Sequence, residues 1–194
     1  MPTTVSSENK IIARTAAAAF RGQPRVSCFW DDNRKNNVDL LACENQPDKG
    51  INSYSTIGLS DTPLLKEGRD IGLRLEFIGT CVGSCKEFEN ILSSAAFSII
   101  NSRWFCAPGV IFPDIVAMYK CSLTMKHLMF VPPFLWENDL KTLELGSKTV
   151  AWLLAIPISE DEFRYAELEG SERLQEIFEK NKIDIADINR SSVI

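Results

Sequence analysis

Near the start of the chain, Ile12, Ala16, Ala19 and Phe20 recur at helical spacing. They predict a helix that Ser6 or Ser7 caps and that ends near Arg21, before Gly22 and Pro24. The pattern then shortens. Residues 25–30 and 38–44 read as two strands of a hairpin around the polar stretch 31–37. A symmetric turn with Trp30 opposite Val38 sets Cys28 against Leu40 rather than Cys43, and makes both cysteines small buried residues. Residues 51–59 alternate around Tyr54 and Thr56 and end in the turn signal Ser60-Asp61-Thr62-Pro63. Residues 71–79 alternate more regularly, with Leu73, Leu75 and Phe77 on one face and Arg74 and Glu76 on the other.

Ser84 with Glu87 forms a capping-box pattern before Phe88, Leu92, Ala95 and Ile99, which predicts a helix over 86–103. Residues 104–114 hold Pro108-Gly109 and Pro113 and read as a loop or short strand with aromatic anchors. Two apolar runs, 128–136 and 149–158, read as buried strands ending near their prolines. Ser159 with Glu162 repeats the capping box and opens a helix that Gly170 ends; Ser171 starts another reaching Asn181.

Composition adds exclusions. Hydrophobic residues at 45% and charged residues at 24% describe an ordinary globular chain, and 194 residues fit one domain. A single histidine, His127, rules out a two-histidine zinc site and the H-E-x-x-H protease helix. The net charge of −5 is uneven: residues 1–159 carry 16 basic and 16 acidic side chains, residues 160–194 carry 5 and 10. A neutral body with an acidic end is a poor phosphate binder, so no direct nucleic-acid partner is expected; an acidic face instead suits a basic protein partner. The first ten residues show no basic leader with an apolar core, and the apolar runs fall short of a membrane span. The expectation is a cytoplasmic protein with no membrane partner, whose six cysteines remain thiols.

No stretch carries a firm catalytic or cofactor signature. Gly79 to Gly83 lies between a strand and a helix but lacks a phosphate-loop pattern, and Gly146-Ser147-Lys148-Thr149 only superficially resembles a Walker sequence. Cys81 and Cys85 have no C-x-x-C spacing for a metal cage. A nucleophilic cysteine with His127 as its base would require tertiary proximity. The expectation is therefore a non-enzyme without catalytic, cofactor or metal residues.

Four segments in order, 53–61 (SYSTIGLSD), 90–110 (NILSSAAFSIINSRWFCAPGV), 125–137 (MKHLMFVPPFLWE) and 148–193, resemble the bacterial branch of the Suppressor of fused family. The resemblance implies an α+β fold: a single domain over residues 1–194 with a mixed, mostly antiparallel sheet packed with helices. It also implies an immunity protein, or antitoxin, that neutralises a cognate LXG-class toxin whose C-terminal domain is expected to be a DNase. In the eukaryotic branch an extended peptide is gripped against the sheet, in a region that includes the segment resembling 54–61. The histidines expected there are missing here, and no second large domain is expected. On this reading carboxylates of the segment 160–169, led by Glu160, Asp161 and Glu162, stand where DNA phosphates would lie, and Tyr54 with Asp61 form a second candidate patch. The alternatives are a regulator that binds an endogenous peptide through its sheet and a cysteine-dependent enzyme built on Cys81, Cys85 and His127.

Overall fold

The computed structural model describes residues 5–83 and 85–194. Its elements in chain order are α1 (Ser7–Phe20), β1 (Pro24–Trp30), β2 (Asn37–Cys43), β3 (Ile51–Ile57), β4 (Leu65–Lys66), β5 (Arg69–Asp70) and β6 (Leu73–Val82). There follow α2 (Phe88–Ile100), β7 (Ile111–Phe112), β8 (Met125–Val131), β9 (Leu143–Glu144), β10 (Thr149–Ser159), α3 (Glu160–Glu169) and α4 (Ser171–Asn181). The fold is α+β, and its main sheet runs β1-β2-β3-β6-β10-β8-β7, with β9 on β10. Every pairing is antiparallel except β6 with β10.

Helices cover both faces. α1 buries Ile12, Ala16, Ala19 and Phe20 in one apolar cluster with Leu41, Ile78 and Trp152, and α3 and α4 add Ala166, Leu174 and Phe178 to it. α2 buries Phe88, Leu92, Ala95 and Ile99 in the other, beside Phe77, Phe112 and Phe130. There Phe77 stacks on Phe130 at 4.3 Å between ring centroids, with Phe112 edge-on to both and Trp104 edge-on to Phe112. These are the aromatic anchors expected of the 104–114 segment.

Double coverage corrects two expectations. Glu76, assigned to the polar face of its strand, is fully buried, because the strand lies at the centre of the sheet between helices. The glycine at 79, expected between the strand and the helix, belongs to the interior of β6. A Cβ there would lie 2.6 Å from Cε1 of Phe88, so its absence lets α2 pack close. The hairpin register is also one step from the symmetric expectation: Trp30 faces Asn37 and Cys28 faces Asp39, leaving Cys28 exposed while Cys43 is buried. The helix expected over 86–103 occupies Phe88–Ile100, and the expected Ser84 cap lies outside the described residues. β8 starts earlier than expected, at Met125, and ends at Val131, while β10 runs two residues past Pro157.

Pro157 is accommodated because the sheet forks. The β6 and β10 ladder spans Leu73–Ile78 against Thr149–Leu154; beyond it β10 continues with β8 and β6 with β3. The C-terminal segment bridges the fork. Val82 N–H donates to the Ala186 carbonyl at 3.0 Å, and Arg190 Nη2 donates to the Pro157 carbonyl at 3.1 Å. A proline in β10 at this point is tolerated because β6 no longer needs an N–H from it.

Candidate functional site

The turn after β3 is held from below by a buried carboxylate. Gly58 adopts φ +96°, which favours glycine, and opens a single 3-10 turn over Leu59–Asp61. Glu76 Oε1 accepts from the amides of Gly58 at 3.0 Å and Ser60 at 3.1 Å, while Oε2 accepts from the Thr56 hydroxyl. Above the turn, Lys148 Nζ donates to Ser60 Oγ and to Asp61, and Asn9 Nδ2 donates to Asp61 at 2.8 Å. Asp61 thus remains at the surface in a fixed position, although its charge is shared with Lys148. The same contacts absorb the Walker-like string, since Ser147 bonds to Glu8 of α1 and Lys148 to this turn.

Burial pushes the Glu76 carboxyl up, against the hydrogen bonds from Thr56, Ser60 and Gly58 that favour its charge. A folded-state value above the unfolded one means the native state holds its proton more tightly. The associated stability is therefore full below the ordinary carboxylate range and is lost as pH rises through the folded value. Glu76→Gln preserves the shape without the titration, so its urea midpoint should vary less with pH on the alkaline side of that range. Parallel curves for variant and wild type would contradict this.

Tyr54 is not a surface residue. It is 4% exposed, its ring lies 5.2 Å from that of Phe88, and its hydroxyl accepts from Asn52; burial pushes it up to about 12. It therefore builds the frame under α2 and has no free side chain for a partner.

The start of α3 divides the three acidic candidates by role. The predicted capping box is present in both directions between Ser159 and Glu162. Glu162 is fully buried and bonds Arg190 at 2.6 and 2.9 Å, and it also accepts from the Ser159 and Val193 amides. It anchors the C-terminal segment and presents nothing outward, which corrects its place in a surface patch. Glu160 is partly exposed and touches Arg164, His127 and Lys126. Partial burial works against its charge, but those three neighbours together hold its carboxyl below the ordinary range. Asp161 is exposed, as are Glu167 and Glu169 on α3 and Glu172, Glu176 and Glu179 on α4. The acidic surface therefore spreads over both closing helices.

His127, 2% exposed, accepts from the Asp114 amide at Nδ1, so its proton resides on Nε2, facing Glu160 at 3.3 Å. Its ring packs on Phe163. Both nitrogens are engaged away from the cysteines, which removes the pairing that a His127-activated thiol requires. Cys81, Cys85 and Cys121 do meet. The Cys81 thiol beside it, with the backbone amides of Glu87 and Phe88, favours the thiolate of Cys85 and holds it below the ordinary thiol range despite its burial. Among the described residues no group of three or more His, Cys, Asp or Glu side chains is arranged to hold a metal ion, and no helix is long and apolar enough to cross a membrane.

Glu76, Lys148 and Arg190 are the residues that sequence reasoning missed. Glu76 and Arg74 are the two charges of the otherwise apolar run 71–79, and nothing local tells the buried one from the other. Nothing local marks Lys148 or Arg190.

A sheet of this order covered by helices on both faces, with a framed turn after its third strand, is the fold of a protein family. The family model for Suppressor of fused protein (SUFU) matches residues 34–191, and the chain belongs to that family. It is 50% identical to the immunity protein YqcF of Bacillus subtilis (strain 168) over 190 residues, 98% of this chain and 99% of that relative. Among solved structures, a Suppressor of fused homologue from Neisseria gonorrhoeae aligns with a TM-score of 0.68 at 16% identity, covering 96% of each chain. A chain of the Sufu-Fu complex aligns at 0.65 and 13% identity, over 95% of this chain and 91% of that one. Drosophila Suppressor of fused aligns at 0.62 and 13% identity, over 94% of this chain and 50% of the other. At these identities the structures establish the shared fold.

Proposed function

We propose that this chain, a single Suppressor of fused-like domain over residues 1–194, is a cytoplasmic immunity protein. It binds and neutralises a cognate LXG-type toxin whose C-terminal domain is a DNase. The observation that carries the reading is its 50% identity, across nearly its whole length, to an immunity protein. The reading is supported by the exposed carboxylates of α3 and α4, whose charge suits the basic surface of a nuclease. In the proposed complex Asp161 and Glu167, with Glu160 behind them, occupy positions where DNA phosphates would lie, and Asp61 marks a secondary contact. Catalysis has no part in this mechanism; the protein acts by covering the toxin's substrate surface.

Co-expression of the toxin domain encoded beside this gene tests the proposal. Cells should survive with this protein and die without it, and the purified pair should bind with nanomolar or tighter affinity. Unprotected cells and no measurable complex would refute the role. Asp161→Lys with Glu167→Lys should slow association several-fold at low salt, with the difference shrinking as salt screens the charges. An association rate equal to wild type in stopped-flow measurements at low salt would remove the phosphate-mimic part and leave immunity standing.

A further inference from the structure

Where the sheet forks, the C-terminal segment does not fill all the space. An open hollow of about 410 Å³ remains between α4, the residues after β8 and the turn before β3. Its floor is apolar, formed by Ile51, Val131, Ile156 and Ile185, with Phe178 of α4 as one wall. Phe134 and Leu135 form the other wall and are 50% and 41% exposed, although burial is the ordinary fate of such side chains.

The mouth has a definite sign. Asp48 and Glu179 stand there without an ion-pair partner among the described residues, and Asp184 lies beside them against one cation, Lys182. Glu179 also ends a row of exposed carboxylates on α4, Glu172, Glu176 and Glu179, spaced four and three residues apart so that they share one side of the helix. An apolar hollow at the end of an acidic rail selects an apolar anchor carried on a basic surface. Anchors of this kind, seated in a desolvated pocket, supply most of the affinity of a tight interface, while surrounding charges set the approach.

We infer that this hollow receives the toxin: a segment of the toxin domain inserts a large aromatic or branched side chain between Phe134, Leu135 and Phe178, and a flanking Lys or Arg meets Glu179 and Asp48. The inference rests on the immunity reading and adds the anchoring site to it. It assigns affinity to the hollow and on-rate to the rail.

Two surface variants test it against the purified toxin domain: Phe134→Ser with Leu135→Ser, and Asp48→Lys with Glu179→Lys. All four side chains are exposed, so the fold should survive, and unchanged thermal melting confirms it. The apolar pair should weaken binding by at least about tenfold, chiefly through faster dissociation, and reduce protection of cells. The charge pair should slow association several-fold at low salt while leaving dissociation nearly unchanged. If wild type binds and protects and both variants match it, the hollow is not the anchor and immunity stands. If wild type itself neither binds nor protects, the immunity reading falls and this inference falls with it. If the protein alone sediments as a dimer that the apolar pair dissolves, the hollow belongs to a second copy and the inference is overturned.

Discussion

Arg190→Ala should destabilise the protein by about 3–5 kcal/mol, the cost of breaking a buried ion pair by removing one partner. The side chains of Arg190 and Glu162 are 7% and 0% exposed, so the variant leaves a carboxylate in the interior without its cation. Arg190 also satisfies the Pro157 carbonyl where β6 has turned away, so one substitution strips two buried acceptors. For a chain of this size the loss corresponds to a fall in Tm of roughly 6–20 °C. The double variant Glu162→Gln with Arg190→Met removes both charges while keeping an acceptor for the Ser159 amide, and it should be more stable than Arg190→Ala alone. Denaturant titration of the three proteins checks the order. An Arg190→Ala midpoint close to wild type would mean the C-terminal segment is not held by this pair.

Phe77→Ala should cost about 3–5 kcal/mol through a different mechanism, the cavity left when a large buried side chain is truncated. Phe77 is fully buried on β6, stacked on Phe130 and met edge-on by Phe112, so its truncation takes a contact from both of those rings. Those rings come from three strands and lie under α2, which limits how far the site collapses. Phe77→Leu, which keeps most of the volume, should cost clearly less, and the gap between the two variants in urea unfolding measures the cavity term. Equal destabilisation by Ala and Leu would point to lost ring stacking rather than volume. Either variant that still folds should bind the proposed toxin partner as wild type does, because Phe77 reaches no surface.

The sequence by itself determined what depends on neighbours along the chain. The first helix, a serine cap at 6 or 7 and its four buried residues follow from helical spacing and one side-chain oxygen, and the structure uses Ser6. The capping box at Ser159 and Glu162, and the break at Gly170 between α3 and α4, are equally local. The acidic end is a matter of counting, and the family was legible in four ordered segments. Tertiary structure alone decided which charges serve the surface. Glu160, Asp161 and Glu162 are consecutive, but one is shared between Lys126, Arg164 and the His127 ring, one has no ion-pair partner among the described residues, and one is buried because Arg190 arrives from 28 positions away. Alternation put Glu76 on a solvent face because a strand pattern does not reveal that helices cover both sides of the sheet. The resemblance of the segment 54–61 to a peptide-gripping region puts Tyr54 in a surface patch, whereas it lies buried because Phe88 of α2 packs against it. The hollow beside α4 lies where a parallel pair of strands parts after Ile78 and Leu154 and the C-terminal segment enters between them. Local pattern fixes which residues form an element, whereas burial and charge pairing depend on which distant elements meet, and that meeting made both the frame and the proposed anchor site.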